Sequence, residues 1–174
     1  MEKKLSELKS ILGRVSDLNH ASALLGWDQQ TYLPPGGSQA RGYQLGTLNS
    51  LSHELFTSSE VGELLEDLEE YQEELDPDSD EARLLQVTAR DYRKSTQVPS
   101  AFVEEFSRVT SHAHAAWEQA RENDDFAHFQ PHLERIVELR REYANFFAPY
   151  DHIYDPLLDD FEPGMKTASV LEIF

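Results

Sequence analysis

The chain has 174 residues, of which 15 are basic and 33 acidic, so that its formal net charge is −18, and it contains no cysteine. This length is typical of one domain, or of part of a larger one. The absence of cysteine excludes disulfides, thiolate metal sites and cysteine nucleophiles. The acidic excess argues against nucleic acid and against an anionic membrane surface as partners, because both draw their affinity from lysine and arginine.

The amino terminus and the apolar content argue against export and membrane insertion. The chain begins MEKKLSELKS, which lacks the apolar core of a signal peptide. No apolar run approaches the ~20 residues that a membrane span requires. We therefore expect a soluble, cytoplasmic protein.

Four helices are predicted first, and in the first and third of them apolar residues recur every three or four positions, which is the spacing of amphipathic helices. They are expected over 5 to about 27, about 38–56, 61–75 and about 80–94. The third would start at the capping-box pattern of Thr57 and Glu60.

The third predicted helix carries most of an acidic segment. Twelve carboxylates lie from Glu60 to Glu81, and no lysine or arginine lies between Arg41 and Arg83. A solvated helix face with an acidic loop is the ordinary interpretation, and a cation-binding surface or adaptation to high salt is the alternative.

Two further helices are predicted over 102–120 and 129–147. Proline and glycine mark breaks at Leu33-Pro-Pro-Gly-Gly37, at Asp76-Pro77 and along residues 149–164. No segment alternates with period two, so strands are not supported. The sequence therefore predicts an all-α fold, an antiparallel bundle of about six helices. A fresh helical pattern over residues 166–174 is too short to be stable alone, so we expect the chain to be cut within a longer sequence.

Zinc peptidases of the zincin type carry His-Glu-x-x-His on one helix, because histidines four residues apart reach one metal ion while the glutamate activates its water. The nearest approach is His53-Glu54, where the second histidine is replaced by Thr57. We therefore interpret His53 as an ordinary helix residue. The chain also lacks a nucleophile elbow, a Walker loop and a dinucleotide fingerprint.

Other histidines have spacings that could suit a metal ion. Asp125, His128 and His132 would reach one cation if all three were helical. Pro131 argues against this, and Asp125 is equally well placed as an N-cap.

Two Asp-x-x-His pairs, Asp17/His20 and Asp125/His128, resemble half of a di-iron bundle site, but no partner carboxylates can be identified. The spacing of His112 and His114 sends their rings to different faces of a helix, so they do not form a pair.

Trp27, Asp28, Arg41, Tyr154 and Asp155 stand out because each lies at a helix end or break. One interpretation is core packing, with caps and an ion pair between helix ends. The other is that these residues shape the wall of a groove.

The ordered set of motifs resembles the amino-terminal region of the M32 carboxypeptidases, the carboxypeptidase Taq family. The most specific motifs are LLGWDQQTYLPP at Leu24 to Pro35 and YDPLLDDFEPGM at Tyr154 to Met165. Between them lie further similar motifs, Ala40-Arg41, Leu48 to His53-Glu54, Arg90-Asp-Tyr-Arg93, Val98-Pro99, Ala116 to Arg121, and Phe126 with Pro131. The resemblance is weakest over the acidic segment.

This resemblance implies an almost wholly helical metallocarboxypeptidase, zinc-dependent or cobalt-activated and commonly homodimeric, which removes carboxy-terminal amino acids from peptides. The family's His-Glu-x-x-His helix lies downstream of the Glu-Pro-Gly-Met motif. Residues 1–174 would then form the cap or groove wall, and no catalytic, cofactor-binding or metal-ligating residue can be carried over to this chain. Its implied partners are the carboxy-terminal catalytic region of the same enzyme and peptide substrates, with self-association through exposed apolar faces.

Two alternatives remain open at this point. The chain could be a stand-alone helical interaction module that kept the fold without the catalytic activity. It could also be a metal–carboxylate bundle built on the Asp-x-x-His pairs, which alone requires stoichiometric metal in this chain.

Overall fold

A computed structural model describes residues 1–174 except for the side chain of Pro35, and the described residues are helical with no strand. A 3-10 turn covers Pro35–Gly37. Six of the nine α-helices in this part of the chain have nine residues or more, which confirms the predicted all-α class. The helices are α1 (Glu2–Thr31), α2 (Ser38–Phe56), α3 (Ser59–Asp67), α4 (Glu69–Glu74), α5 (Asp80–Ser95), α6 (Ser100–Glu122), α7 (Phe126–Asn145), α8 (Asp155–Leu158) and α9 (Thr167–Ile173).

The helix predicted over residues 61–75 is interrupted at Leu68, which ends α3 and precedes α4. The Leu68 amide donates to the carbonyls of both Leu64 and Leu65, so the last turn of α3 is tightened. Leu68 is fully buried, which indicates that core packing holds the break. The N-cap of α3 is Ser58, whose Oγ accepts from the Val61 amide at 3.4 Å, and not the predicted Thr57.

The chain divides into two compact units, residues 1–112 and 113–174, and the boundary falls within α6. In the first unit, the predicted apolar stripe of α1 packs with apolar residues of α3 and α5. This cluster consists of Leu5, Leu8, Ile11, Val61, Leu64, Leu68 and Leu85. In the second unit, Leu139 and Ala144 of α7 are fully buried. No helix among the described residues is long and apolar enough to cross a membrane.

Helix α2 runs antiparallel to α1. The Ser52 hydroxyl near the end of α2 donates to Asn19 Oδ1 at 2.7 Å in the middle of α1, whereas Arg41 near the start of α2 contacts Asp28 near the end of α1. Two prolines after Leu33 explain why α1 ends where it does, since proline has no N–H and disfavours a helical residue before it.

Glycines let α2 lie close to the first part of α6. A Cβ on Gly42 would lie 2.8 Å from Nε2 of His112, and a Cβ on Gly46 would lie 3.3 Å from the backbone oxygen of Glu104. At the far end of α2, His53 Nε2 lies 2.7 Å from the Val98 carbonyl oxygen. The close approach of α2 and α6 fixes the position of the α2 residues that face α1.

Candidate functional site

The end of α1 and the start of α2 are joined by one buried arginine, in an arrangement that we call the Arg41 clasp. Arg41 is only 7% exposed. Its Nη2 donates to Asp28 Oδ2 at 2.6 Å, its Nε donates to Gln44 Oε1 at 3.1 Å, and its Nη1 donates to the Leu25 carbonyl. Charge-assisted bonds of this kind are the stronger ones in proteins. The clasp satisfies the guanidinium and fixes the angle between the two helices.

A second connection ties the end of α1 to α6. Gln29 Nε2 donates to the Ser111 carbonyl at 3.0 Å, and the Ser111 hydroxyl donates back to Gln29 Oε1 at 3.0 Å. Because Ser111 is buried, this reciprocal pair leaves neither polar group unsatisfied at the contact.

Large aromatic side chains face solvent on the outside of the Arg41 clasp. Trp27 is 55% exposed and Tyr32 is 74% exposed. Their rings meet edge to face with centroids 5.5 Å apart, a favoured geometry for aromatic pairs. Leu24, one turn before Trp27, is exposed as well. We call Leu24, Trp27 and Tyr32 the aromatic ledge, which the buried clasp holds on a rigid helix end.

His112 lies beside this region on α6. Its ring meets that of Tyr43 edge to face with centroids 6.4 Å apart, and its Nε2 is buried without a hydrogen-bond partner among the described residues. Gly42 provides the space for the ring. The contact packs α2 on α6, and no sequence pattern predicts it because Gly42 and His112 are 70 positions apart.

In the second unit, a buried carboxylate organises the segment between α7 and α9. Asp155 is 6% exposed, and its Oδ1 accepts from the Thr167 amide at 2.8 Å and from the Thr167 hydroxyl at 2.7 Å. Its Oδ2 accepts from the His152 amide at 3.3 Å and lies 3.5 Å from Lys166 Nζ. We call this arrangement the Asp155 clasp. The hydrogen bonds from Thr167 lower the pKa of Asp155 to about 2, so the carboxylate is ionised at neutral pH.

The rest of the YDPLLDDFEPGM motif folds around the Asp155 clasp. Gly164 has φ +80°, a conformation that glycine adopts without a Cβ penalty, and its amide donates to Asp159 Oδ1 at 2.8 Å. The Tyr143 hydroxyl donates to Asp160 Oδ1 at 2.8 Å. The pKa of Tyr143 is raised, chiefly because the hydroxyl is buried and to a smaller extent because of this hydrogen bond. Tyr154 stays half exposed. The motif therefore holds a turn in place.

The Asp125, His128 and His132 set does not form a metal site. Asp125 Oδ1 accepts from the backbone amide of His128 at 3.2 Å, so it is the N-cap of α7, as the alternative interpretation predicted. The rings of His128 and His132 lie with centroids 6.4 Å apart. Pro131 is accommodated inside the first part of α7.

The remaining histidines have other neighbours. His20 lies 3.5 Å from the Ser16 hydroxyl through Nδ1, and His114 lies 3.3 Å from Glu118 through Nε2. Within the part of the chain that the structure describes, no three histidines or carboxylates are grouped so that they could hold a metal ion. The Nε2 atom of His53 contacts the backbone carbonyl of Val98. Thr57, which stands where a zincin has its second histidine, is the C-cap residue of α2. Neither His53 nor the Asp125, His128 and His132 set therefore offers the three converging ligands that a catalytic zinc ion needs.

The hydrogen bonds of the two clasps hold helix ends and a turn in position. Each clasp buries one charged group, satisfies it with named partners and presents exposed side chains beside it. Sequence reasoning found Asp28, Arg41 and Asp155 from their positions at helix ends. It missed Thr167 and Gln44, because a single hydroxyl or amide carries no motif.

Comparison with known proteins assigns this helical scaffold to a class. Residues 7–174 match the family model described as Carboxypeptidase Taq (M32) metallopeptidase. The chain therefore belongs to the M32 metallopeptidase family, as the motifs predicted. It is 33% identical to Carboxypeptidase 1 of Bacillus subtilis over 168 residues, covering 97% of this chain and 33% of that protein. It is 35% identical to Thermostable carboxypeptidase 1 of Thermus thermophilus over 161 residues, covering 87% of this chain and 32% of that protein.

The matches to solved structures likewise cover nearly all of this chain and about a third of each matched protein. The crystal structure of BsuCP matches with a TM-score of 0.92 at 30% identity, covering 98% of this chain and 34% of that chain. The Pyrococcus furiosus carboxypeptidase structure matches with a TM-score of 0.75 at 31% identity, covering 100% of this chain and 34% of that chain. The chain thus spans about a third of the length of the relatives that it matches.

Proposed function

We propose that residues 1–174 form the amino-terminal helical part of a metallocarboxypeptidase that removes carboxy-terminal amino acids from peptides. The observation that carries this proposal is the family match over residues 7–174 to proteins about three times as long. In this proposal the hydrolytic metal, zinc or cobalt, is held by a carboxy-terminal region of the same enzyme. The complete enzyme is cytoplasmic and homo-oligomeric.

The proposed role of this part is to form one wall of the peptide groove. The Arg41 clasp supports this role, because it holds the aromatic ledge of Leu24, Trp27 and Tyr32 rigidly while leaving it open to solvent. Exposed aromatic side chains on a rigid element suit contacts with an extended peptide. The ledge would exclude bulk water from the substrate's side of the groove.

An exposed apolar face on α7 supports a docking surface for the remainder of the enzyme. Phe126, Leu133 and Val137 are exposed and are spaced seven and four residues apart, which places them on one side of the helix. Exposed apolar faces of this kind mark interaction sites in soluble proteins. In this proposal the covering partner is the carboxy-terminal region. The unmatched part of the Bacillus subtilis relative is about twice as long as the part matched here, which leaves enough chain for such a partner.

A peptidase assay on two proteins tests the proposal. The first is residues 1–174 alone, and the second is a chimera in which this chain replaces the matching third of the Bacillus subtilis relative. With zinc or cobalt, we expect the chimera to release carboxy-terminal amino acids from a peptide with a free carboxyl end, and the 174-residue chain to release none.

Both opposite outcomes are informative. Release by residues 1–174 alone that a chelator abolishes would place the reactive centre in this chain and overturn the division of roles. A folded but inactive chimera, beside an active parent enzyme, would show that this chain does not supply the wall that catalysis needs.

A further inference from the structure

A groove of about 430 Å³ runs along the first unit, with α3 and α4 on one side and α5 on the other. This volume lies in the range of sites that bind small molecules or a few residues of a peptide. Its lining residues include the apolar Leu65, Leu85 and Tyr92 and the charged Glu66, Glu69, Glu73 and Arg93. None of them belongs to the Arg41 clasp, to the aromatic ledge or to the YDPLLDDFEPGM motif.

The floor of the groove is apolar and rigid. Leu85 is buried in the core cluster, and Leu65 and Tyr92 pack against that cluster. The Tyr92 hydroxyl donates to the Ser58 carbonyl at 3.2 Å, and its ring meets Phe56 edge to face with centroids 6.2 Å apart. The ring is therefore fixed before any ligand arrives, so that the groove is preformed.

The rim on the α3–α4 side is acidic. Glu66, Glu69 and Glu73 follow one another at spacings of three and four residues, and none has an ion-pair or side-chain hydrogen-bond partner among the described residues. The two lysines of α1 that reach the acidic segment bind elsewhere in it, since Lys4 pairs with Asp67 and Lys9 pairs with Glu81. The rim therefore keeps three carboxylates without a direct ion-pair partner beside an apolar floor. Arg93 of α5 also lines the groove, so the lining keeps an acidic excess of two charges.

The arrangement of these carboxylates distinguishes between possible cationic ligands. A single metal ion needs several ligand atoms converging on one point. The described carboxylates form no such group of three. Charges spread along the α3–α4 side of the groove suit cationic groups that are spread along a chain, and the apolar floor between the two walls suits an apolar side chain among them.

We propose that this groove binds a cationic amphipathic peptide segment. An apolar side chain of the segment seats on Leu65 and Tyr92, above the buried Leu85, and lysine or arginine side chains pair with Glu66, Glu69 and Glu73. This site is independent of the peptidase role proposed above. Because the rim is exposed to solvent, binding weakens as ionic strength rises.

The test uses the 174-residue chain and a short synthetic peptide, blocked at both ends, with leucines at i and i+4 and lysines around them. Fluorescence anisotropy at low salt measures its affinity for the wild type and for two triple variants. The rim variant carries Glu66→Gln, Glu69→Gln and Glu73→Gln, and the matched control carries Glu60→Gln, Glu63→Gln and Glu74→Gln. Both lose three negative charges from the same segment, but only the first loses groove residues.

We expect the rim variant to bind the peptide roughly tenfold more weakly, because it loses the binding free energy of three exposed ion pairs. The control should change the affinity less than twofold. Equal losses in both variants would overturn the proposal, since binding would then follow net charge alone. Retained affinity for a peptide with serine in place of leucine would also overturn it, because the floor would then be unused.

Amide chemical-shift mapping on the wild-type chain provides a measurement that depends on no variant. On adding the peptide, we expect shifts concentrated at residues 62–73 and 85–93. Shifts scattered over the acidic surface, or centred on Trp27 and Tyr32, would contradict the site.

Discussion

The Arg41 clasp and the Asp155 clasp solve the same problem with opposite charges. In the first, the buried group is a guanidinium, and its carboxylate partner, the Asp28 side chain, is 35% exposed. In the second, the buried group is a carboxylate, and its cationic partner Lys166 is half exposed. The Arg41 clasp joins two long helices, whereas the Asp155 clasp joins neighbouring parts of one irregular segment.

This difference determines which kind of change should destabilise each clasp. The buried arginine of the first clasp stays charged at every accessible pH, so this clasp is best perturbed by removing its atoms or by changing the packing around it. Aspartate can be neutralised by a proton, so the Asp155 clasp responds to acid. The first should therefore control the stability of a whole unit, and the second should control the order of one segment.

The largest effect is expected for Arg41→Ala. The substitution removes every hydrogen bond of the clasp and leaves Asp28 without its cation, which should destabilise the first unit by about 2–4 kcal/mol. Urea unfolding followed by circular dichroism measures this. The matched control is Arg83→Ala, because Arg83 pairs with Asp78 on the exposed surface and should contribute about 0–1 kcal/mol. Equal losses in both variants would contradict a special role for the buried arginine.

Gly42→Ala tests the packing that supports the Arg41 clasp. The new Cβ would lie 2.8 Å from Nε2 and 3.0 Å from Cδ2 of the His112 ring, so either the ring or α2 must move, at a cost of about 1–3 kcal/mol. Gly13→Ala is the control within α1, where nothing lies within 4 Å, and it should stabilise the chain by about 0.5–1 kcal/mol. Opposite shifts of the urea midpoint are the expected result, and a shift of the same sign would exclude the close contact.

Gly164→Ala tests the turn beside the Asp155 clasp. A side chain at φ +80° is strained by about 1–2 kcal/mol, although no neighbour lies within 4 Å. Thermal unfolding of the variant should show this loss. Gly36→Ala, at a glycine with equally open space and no positive φ, provides the control. No difference between the two variants would show that the turn does not depend on the left-handed conformation.

Much of the helical content followed from the sequence, since the apolar stripes of α1, α6 and α7 predicted those helices, and shorter helices were expected at the positions of α2 and α5. The break at Leu68 did not, because residues 61–75 keep a helical period throughout and only the burial of Leu68 in the core interrupts it. The cap at Ser58 was also missed. Residues 57–59 all carry a side-chain hydroxyl, so a local sequence pattern does not distinguish which of them is the N-cap. The backbone conformation decides which residue takes that position.

The candidate sites were predictable to a lesser degree. Asp28 and Arg41 stood out as charged residues at helix ends, and an ion pair between helix ends was one of the two interpretations offered. Their contact depends on the turn between α1 and α2, whose geometry the sequence does not specify. Thr167 pairs with Asp155 across twelve residues of mostly irregular chain, where no periodicity relates the two positions. Pairing across irregular segments becomes visible only in three dimensions.

The smallest effect on global stability, and the most specific, is expected from acid acting on the Asp155 clasp. The pKa of Asp155 falls from its ordinary value of 3.8 to about 2 in the folded chain, because Thr167 donates two hydrogen bonds to the carboxylate. A lowered pKa means that the ionised form stabilises the fold above about pH 4, and that this stabilisation is lost as the pH falls through about 2. Hydrogen exchange should therefore show the amides of His152 and Thr167 losing protection in this window.

Asp155→Asn separates this titration from general acid unfolding. The amide side chain has no charge to lose, so the protection of Thr167 should be lower than in the wild type at neutral pH and should then stay level as the pH falls from about 4 to about 2. Amides of the core residues Leu8 and Leu85 report the first unit and should behave alike in both proteins. If protection at Thr167 fell with the same pH profile in the variant, another group would control the segment, and the Asp155 clasp would not be its acid-sensitive element.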